Sequence, residues 1–285
     1  MDFNSILEGL VLTLPELKSQ HSPDMKVYGF LKQIARKEIE NMFAAKRPDG
    51  FDFAPFGEIV FPYHKMGAID SMNLFDIDEI IIFSFYWINR DRYKRVLDIG
   101  ANLGLHSILL SKCGYEVKSY EPDPTHFKIL KKNLDLNHCA KVQAFNEAVS
   151  DRSGEMEFTR VLGNTTSSHL SGSKANPYGD LEKFPVRVEA VNNLIGWADL
   201  IKLDAEGHEK EILKSTKRSD WINTDALIEV ENGNNAEVIY EHFKKIDVRL
   251  FSQKKNWREV EKLEDVPTSY REGTLFLTCK SEMPW

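Results

Sequence analysis

The sequence predicts an α/β fold in which a parallel sheet is covered by helices on both faces. From Arg95 onward, short apolar runs alternate with helical patterns, which is the strand–helix rhythm of such sheets. One run, Val96–Ile99, leads directly into a glycine-containing turn, and another ends at Asp204 before a turn rich in ionisable side chains. Ligands of parallel sheets bind at the carboxyl ends of the strands, so both turns are expected to border one site.

The composition indicates a soluble globular protein with one large domain and additions. Of the 285 residues, 42% are hydrophobic and 28% are charged, which is enough apolar material for a sizeable core. The net charge of −7 argues against a nucleic-acid partner, because such proteins neutralise phosphates with basic side chains. We expect an N-terminal cap region over residues 1–91 and the sheet domain over residues 92–285.

Cysteine content and the lengths of the apolar runs predict the cellular compartment of the protein. Cys113, Cys139 and Cys279 are too few and too dispersed for a disulfide framework or a zinc site, which favours a reducing compartment. The N-terminus lacks a signal-peptide pattern, and the longest apolar run, Ile80–Ile88, is too short to cross a bilayer. The sequence therefore predicts a cytoplasmic protein with no membrane insertion.

The cap region is predicted to be helical with one aromatic, β-prone segment. A helix is expected from Met25 to Phe43, followed by the β-prone stretch Phe51–Met66. A second helix is expected from Asp76 to Asn89, with Asp76 as N-cap and Glu79 completing a capping box. No chemistry is evident here, so contacts with substrate or with another copy of the chain are the expected roles.

The sheet domain is predicted element by element from its apolar runs and the turns between them. The expected strands are Arg95–Ile99, Glu116–Glu121, Lys141–Asn146, Glu155–Val161, Val186–Ala190, Asp199–Asp204, Ala226–Val230, Val248–Phe251 and Thr274–Thr278. The expected helices run from the glycine turn to Lys112, from Pro124 to Leu136, from Lys210 to Ser215 and from Ala236 to Ile246.

The glycine turn after Val96–Ile99 predicts a nucleoside-binding site. Gly100 and Gly104 allow the backbone to turn sharply and approach a ligand. Asn102 and Leu105 stand where a dinucleotide fingerprint would need glycine, so NAD(P) is disfavoured. The acid Asp98 would repel a pyrophosphate and attract an ammonium group. S-adenosylmethionine, which carries an ammonium and a sulfonium beside adenosine, is the ligand we expect.

Further cofactor contacts are expected at the ends of the next two strands. Glu121 lies about 20 residues after the glycine turn, at the distance at which an acid reaches the ribose hydroxyls. Asn146 and Glu147 follow the third strand, where adenine would lie, and Glu147 is expected to accept from its amino group. The predicted cofactor-binding residues are Asp98, Gly100, Asn102, Gly104, Ser107, Glu121, Asn146 and Glu147.

The turn after the fourth core strand is the predicted catalytic element. Asp204, Glu206 and His208 stand at the carboxyl end of a central strand, where acid–base chemistry belongs. Asp204 with Glu231 and Asn232 would place three oxygen donors across neighbouring strand ends, a candidate magnesium or calcium site.

Four motifs in this order resemble the FkbM family of S-adenosylmethionine-dependent methyltransferases. They are D-I-G-A-N-L-G from Asp98, Y-E-P-D from Tyr120, F-N-E-A-V-S-D from Phe145 and I-K-L-D-A-E-G-H-E from Ile201, and the resemblance covers Tyr93–Thr278.

The resemblance implies a class I methyltransferase fold: a seven-stranded Rossmann-like sheet with a reversed last strand, here preceded by the helical and β cap. It also implies methylation of hydroxyl oxygens on sugars or polyketides, cofactor contacts at Asp98, Gly100, Asn102 and Glu121, and a substrate-side turn at Asp204, Glu206 and His208. His208 departs from the pattern, since the family usually has a small apolar residue there.

Together these observations predict an O-methyltransferase acting on a small-molecule acceptor, a sugar or glycan precursor that could be nucleotide-activated. His208 or Glu206 is the expected general base, with neutral histidine favoured because its ordinary pKa lies near working pH, and Asp204 would orient the base or a metal. The alternatives are an NAD(P)-dependent oxidoreductase, a non-catalytic module that binds the cofactor, and a nucleic-acid methyltransferase. A homo-oligomer also remains open.

Overall fold

The structure is a computed structural model of the chain and describes residues 5–44, 50–174 and 179–285. Parts of the predicted cap region, residues 1–4 and 45–49, lie outside the described residues. The α-helices are α1 Ile6–Thr13, α2 Lys26–Ala44, α3 Ile77–Ile88, α4 Leu105–Lys112, α5 Pro124–Leu136, α6 Val191–Leu194, α7 Glu209–Lys214 and α8 Gly233–Ile246. The strands are β1 Phe51–Asp52, β2 Glu58–Ile59, β3 Arg95–Ile99, β4 Glu116–Tyr120, β5 Val142–Phe145, β6 Ala148–Ser150, β7 Gly154–Val161, β8 His169–Leu170, β9 Leu181–Ala190, β10 Leu200–Leu203, β11 Asp225–Ile228, β12 Arg249–Ser252, β13 Arg258–Glu259 and β14 Leu275–Thr278.

The main sheet has the strand order β13-β12-β14-β11-β10-β3-β4-β5. Strands β5, β4, β3, β10 and β11 pair in parallel, and β14 runs antiparallel between β11 and β12. The seven-stranded sheet with a reversed last strand is thereby confirmed. The two-residue strand β13 adds an eighth, antiparallel edge that was not predicted.

Successive residues of the central strands point into two separate cores, as the pleat of a strand requires. In β3, Val96 belongs to the first core, while Leu97 and Ile99 belong to the second. Side chains of α1 to α5 fill the first core, and those of α6 to α8 fill the second. With both faces covered by helices, the sheet can bind a ligand only along its edges.

A smaller four-stranded sheet, with the order β6-β9-β7-β8, stands beside the carboxyl edge of the main sheet. We call it the covering sheet. Its two long strands, β7 and β9, pair antiparallel over eight residues. The sequence predicted β7 closely but only the second half of β9, because Leu181–Lys183 are exposed and lack an apolar alternation. The short strands β6 and β8 were not predicted.

The N-terminal region packs against the main sheet through α3. This helix is buried on most sides, and its Phe85 ring lies 5.6 Å from that of Phe276 in β14. Asp76 caps the helix as predicted, by accepting from the Ile77 N–H. The predicted capping role of Glu79 is wrong, because its carboxylate pairs with His106 at 3.0 Å. In the part of the chain that the structure describes, no helix is long and apolar enough to span a membrane.

Candidate functional site

A cleft of about 600 Å³ opens at the carboxyl ends of β3, β4 and β10, and we call it the main cleft. The covering sheet closes it from above, and its lining residues include Phe158 of β7, His169 of β8, and Thr165, Thr166 and Ser168 from the segment between these strands. Of the predicted site residues, those that line it are Gly100, Asn102, Glu121, Asp204, Glu206 and His208. Its position at the strand ends is typical of a small-molecule site.

The glycine turn after β3 packs tightly against the turn after β10. Gly100 has φ +79°, and a Cβ atom placed on it would lie 1.7 Å from the carbonyl oxygen of Asp204. Only glycine tolerates both this backbone conformation and this approach. The two predicted turns are therefore in direct contact, and together they form the floor of the main cleft.

Asn102 and Glu121 hold the turn at the adjacent strand end. The Asn102 N–H donates to Glu121 Oε2 at 2.8 Å, and the Asp123 N–H donates to Glu121 Oε1 at 2.8 Å. Burial raises the pKa of Glu121 to about 8, against the lowering effect of these two hydrogen bonds. The side-chain oxygen of Asn102 is buried without a partner among the described residues, although Asn102 lines the cleft. A buried acceptor of this kind can take a donor from a ligand.

Asp98 and Ser107 are not among the residues that line the main cleft. Both are fully buried, and Ser107 Oγ donates to Asp98 Oδ2 at 2.5 Å while lying 2.7 Å from Ser119 Oγ. The ammonium of Lys202 lies 4.0 Å from Asp98 Oδ1. The negative charge of Asp98 thus faces a cation of the protein, although its Oδ1 atom has no hydrogen-bond partner among the described residues.

The remaining predicted cofactor residues lie at the periphery. Gly104 begins α4 with φ +89° and packs against Leu130 of α5, so its role is in the turn itself. Asn146 donates to the carbonyl oxygens of Glu121 and Pro122 at 2.8 and 3.0 Å. Asn146 and Glu147 line an open groove that adjoins the main cleft at Pro122. They border the site from outside.

The turn after β10 is shaped from within by Glu209. Its Oε1 accepts from the N–H groups of Ala205 and Gly207 at 2.9 and 3.0 Å, and its Oε2 accepts from Asn235 at 2.6 Å. These bonds hold a tight loop in which Glu206 has φ +52°. The sequence placed Glu209 at the start of a helix but did not indicate this shaping role.

Glu206 and His208 line the cleft but are engaged by internal partners. Glu206 pairs with Lys174 at 2.5 Å. Burial and then the neighbouring Asp204 raise the pKa of Glu206, and Lys174 offsets this only in part. The two ring nitrogens of His208 lie 2.7 Å from Ser150 Oγ and 3.0 Å from Ser173 Oγ. Burial lowers the pKa of His208, which keeps the ring neutral near pH 7.

The candidate metal ligands are occupied by groups of the protein. Glu231 accepts from Lys174 at 2.9 Å, so one ammonium bridges Glu206 and Glu231. The side chain of Asn232 caps α8 by accepting from the Asn235 N–H. Over the described ranges, no group of three His, Cys, Asp or Glu side chains is arranged to hold a metal ion. The predicted set Asp204, Glu231 and Asn232 therefore does not form a site, since lysine supplies the cation.

Two lysines at the site, Lys202 and Lys174, were not predicted from the sequence. Lys202, in the middle of β10, is 9% exposed and donates to the carbonyl oxygen of Gly100 at 3.3 Å and to Asp204 at 3.4 Å. Lys174 reaches the site from the loop after β8. The position of Lys202 inside an otherwise apolar strand could have indicated a functional role. The sequence around Lys174 contains no pattern that would have indicated one.

Comparison with known sequences identifies the domain. The family model described as the methyltransferase FkbM domain matches residues 98–258. The chain is 24% identical over 159 residues to the methyltransferase sdnD of Sordaria araneosa, covering 44% of this chain and 61% of that protein. It is 24% identical over 178 residues to the hexuronic acid methyltransferase AglP of Haloferax volcanii, covering 58% and 64%. The chain thus spans less than two thirds of the length of either relative.

Solved structures show a looser likeness. A precorrin-6y C5,15-methyltransferase from Geobacter metallireducens is 11% identical, with a TM-score of 0.38 over 69% of this chain and 85% of that one. An O-methyltransferase from Bacillus cereus in complex with SAH is 11% identical, with a TM-score of 0.35 over 85% and 89%. The fold assignment rests instead on the strand order of the main sheet and on the family match. The chain belongs to the FkbM family of S-adenosylmethionine-dependent methyltransferases.

Proposed function

We propose that the protein transfers the methyl group of S-adenosylmethionine to a hydroxyl oxygen of a small-molecule acceptor, a sugar or a glycan precursor. The observation that carries this proposal is the main cleft, where the glycine turn, Asn102 and Glu121 converge at the strand ends. Support for a sugar acceptor comes from the relative that is named for a hexuronic acid. The same proposal places the reaction in the cytoplasm.

The residues present fit the cofactor. Glu121 borders the cleft with a carboxylate whose oxygens can accept from ribose hydroxyls in addition to the backbone. The unpartnered oxygen of Asn102 can accept from a ligand donor at the glycine turn. When bound, the cofactor supplies a methyl group already activated by the sulfonium. The protein then chiefly has to align the acceptor oxygen with that methyl group and remove the hydroxyl proton.

The family match sets aside the oxidoreductase alternative, while a module that only binds the cofactor is distinguished by turnover. The test combines calorimetry with S-adenosylhomocysteine and a transfer assay with radiolabelled S-adenosylmethionine on a panel of hydroxyl acceptors. We expect heat of binding and labelled methyl ether product. Binding without transfer to any hydroxyl compound would refute the proposed activity, and absence of binding would refute the assigned cofactor site.

A further inference from the structure

A second cavity, of about 420 Å³, lies between α3 and the carboxyl ends of β10 and β11. Its charged lining consists of Asp78, Glu79, His106, Lys202, Asp204 and Glu229. Helix α3 contributes two of these side chains, so the cavity forms only where the N-terminal region packs on the sheet. Of this set, only Asp204 was among the predicted site residues.

The second cavity adjoins the main cleft around Asp204. A narrower space of about 330 Å³ lies over the glycine turn, and it shares Gly100, Asn102 and Asp204 with the main cleft. The same space shares Glu79, Lys202 and Asp204 with the second cavity. Methyl transfer is an in-line displacement, so donor and acceptor must approach from opposite sides of one point. The region around Asp204 provides such a meeting point.

Glu229 differs from the other acids of the second cavity because its carboxylate forms no hydrogen bond or ion pair with another described residue. Asp78 accepts from Tyr28 and Gln253, Glu79 pairs with His106, and Asp204 with Lys202. The charge of Lys202 acts on Glu229 electrostatically, but the Lys202 ammonium forms its ion pairs with Asp98 and Asp204.

The backbone of Glu229 is nevertheless fixed, because its N–H donates to Leu203 at 2.9 Å. Burial and then the neighbouring Asp204 and Glu79 raise the pKa of Glu229, which makes its carboxylate a stronger base, and Lys202 offsets this only in part.

We propose that the second cavity binds the acceptor and that Glu229 takes the proton of the reacting hydroxyl. The proposed acceptor is a neutral or amine-bearing sugar. This inference rests on the proposed methyl transfer. The acceptor oxygen forms a bond to the methyl carbon as the carbon–sulfur bond breaks. The electron pair of that bond stays on sulfur, which becomes a neutral thioether, and the hydroxyl proton moves to the Glu229 carboxylate.

The charged residues that line the second cavity predict which class of acceptor it binds. Four carboxylates face the cavity and only two basic groups, Lys202 and His106, both of which already contact acids. A carboxylate or phosphate entering here would meet like charge without a free cation, which is costly in a partly buried space. A hexuronic acid is therefore the class we expect this chain to reject. A nucleotide-activated sugar would have to keep its phosphates outside.

The experiment uses Glu229→Gln, with Glu237→Gln on the exposed face of α8 as the matched control. Thermal unfolding and calorimetry with S-adenosylhomocysteine establish that each variant is folded and binds the cofactor product. We expect Glu229→Gln to keep this affinity within about twofold and to lower kcat by about 100-fold or more, as loss of a general base does. The control should match the unmodified protein.

A second variant tests the cavity even if Glu229→Gln folds poorly. Tyr270 lines the second cavity and is 53% exposed, as is Tyr63, which does not line it. We expect Tyr270→Ala to raise the acceptor KM at least threefold without changing affinity for S-adenosylhomocysteine, whereas Tyr63→Ala leaves both unchanged.

The acceptor panel contains a neutral hexose glycoside, an amino-sugar glycoside and a hexuronic acid glycoside. We expect kcat/KM for the hexuronic acid to be lower by about tenfold or more. Preference for the hexuronic acid, or full turnover by Glu229→Gln and an unchanged KM in Tyr270→Ala, would overturn the inference while leaving methyl transfer intact. If the unmodified protein binds the cofactor product but methylates none of the panel, the proposed function fails and the inference falls with it.

Discussion

Lys202 changes the interpretation of the acid in the glycine motif. From the sequence, Asp98 should attract the ammonium group of the ligand, because an unpaired carboxylate at a binding turn is a strong cation site. In the fold, the Lys202 ammonium lies between Asp98, Asp204 and the Gly100 carbonyl. Burying either charge without a counter-ion would be costly. The side chains of Asp98 and Lys202, which come from adjacent strands, therefore neutralise each other. Asp98 therefore stabilises the turn, whereas Glu121 lines the main cleft.

Glu121 should make cofactor affinity depend on pH. Burial raises the pKa of this carboxyl to about 8, so its ionised fraction increases between pH 7 and pH 9. The ionised form is the better acceptor for ribose hydroxyls, so affinity should rise in the same direction, by up to about tenfold. Calorimetry with S-adenosylhomocysteine at both pH values measures this. Glu121→Gln should bind more weakly and lose the increase; an unchanged increase in this variant would contradict the assignment.

His208 and Glu206 remain candidates for the general base, but their partners predict a different outcome. His208→Ala removes a ring that contacts Ser150 and Ser173, so we expect a loss of about 1–3 kcal/mol in the free energy of unfolding. Its kcat should stay within about tenfold of the unmodified protein if Glu229 takes the proton. Glu206→Gln should behave similarly in turnover assays. A 100-fold loss of kcat in either variant, with Glu229→Gln active, would place the base in the turn after β10.

At the scale of elements, the site depends on how two turns and one sheet are fastened together. The turn after β3 contacts the turn after β10 at Gly100, and the covering sheet is fixed to the start of α5 by Arg160. The guanidinium of Arg160 donates to both carboxylate oxygens of Asp123 at 2.6 and 2.7 Å. Such a two-point pair fixes orientation as well as distance. The main cleft is therefore enclosed by elements that are distant in the sequence.

Substitutions at Gly100 and Gly114 distinguish the cost of backbone strain from the cost of a steric clash. Both have positive φ, +79° and +91°, but a Cβ on Gly100 would collide with Asp204 while a Cβ on Gly114 meets nothing within 4 Å. Gly114→Ala should cost about 1–2 kcal/mol of unfolding free energy, the price of a left-handed alanine. Gly100→Ala should cost more and abolish binding of S-adenosylhomocysteine. Denaturant unfolding and calorimetry test both, and equal effects of the two substitutions would show that the close contact is unimportant.

At the scale of the whole molecule, the N-terminal region is part of the core on one face of the sheet. Residues of α1, α2 and α3 belong to the same buried cluster as Val96, Leu200 and Phe276 of the main sheet. The hydroxyl of Tyr115 also donates to the carbonyl of Tyr86 in α3 at 2.8 Å. Removing this region would expose the part of this apolar face that α4 and α5 do not cover.

A fragment of residues 92–285 should accordingly fail to fold by itself. Loss of α1 to α3 exposes the part of the first core that α4 and α5 do not cover. The free-energy cost of exposing this apolar area exceeds the few kcal/mol of net stability of a domain. Circular dichroism and thermal unfolding of the fragment measure this, with the full chain as the reference. A cooperative transition together with binding of S-adenosylhomocysteine would show instead that residues 1–91 are a dispensable cap.

Local sequence was sufficient to predict most of the strands and helices of the main sheet. The strands and helices of that sheet lie within a few residues of their predicted bounds, because buried apolar runs and glycine turns are local properties. Helix α5 begins and ends at the predicted Pro124 and Leu136. The short strands β6, β8 and β13 were missed, since two or three residues of mixed polarity carry no periodic pattern.

The sequence by itself determined the fold class, the family, and the two turns that meet at the cleft, because each is written in a continuous run of residues. Only the tertiary structure decided which side chains of those turns face the cleft: Asp98 turns inward to Lys202, and Lys174 occupies the place expected for a metal. It also formed the second cavity, whose walls come from α3 and from β10 and β11. Charge pairing and cavity shape depend on residues far apart in the chain, and no local pattern encodes those distances.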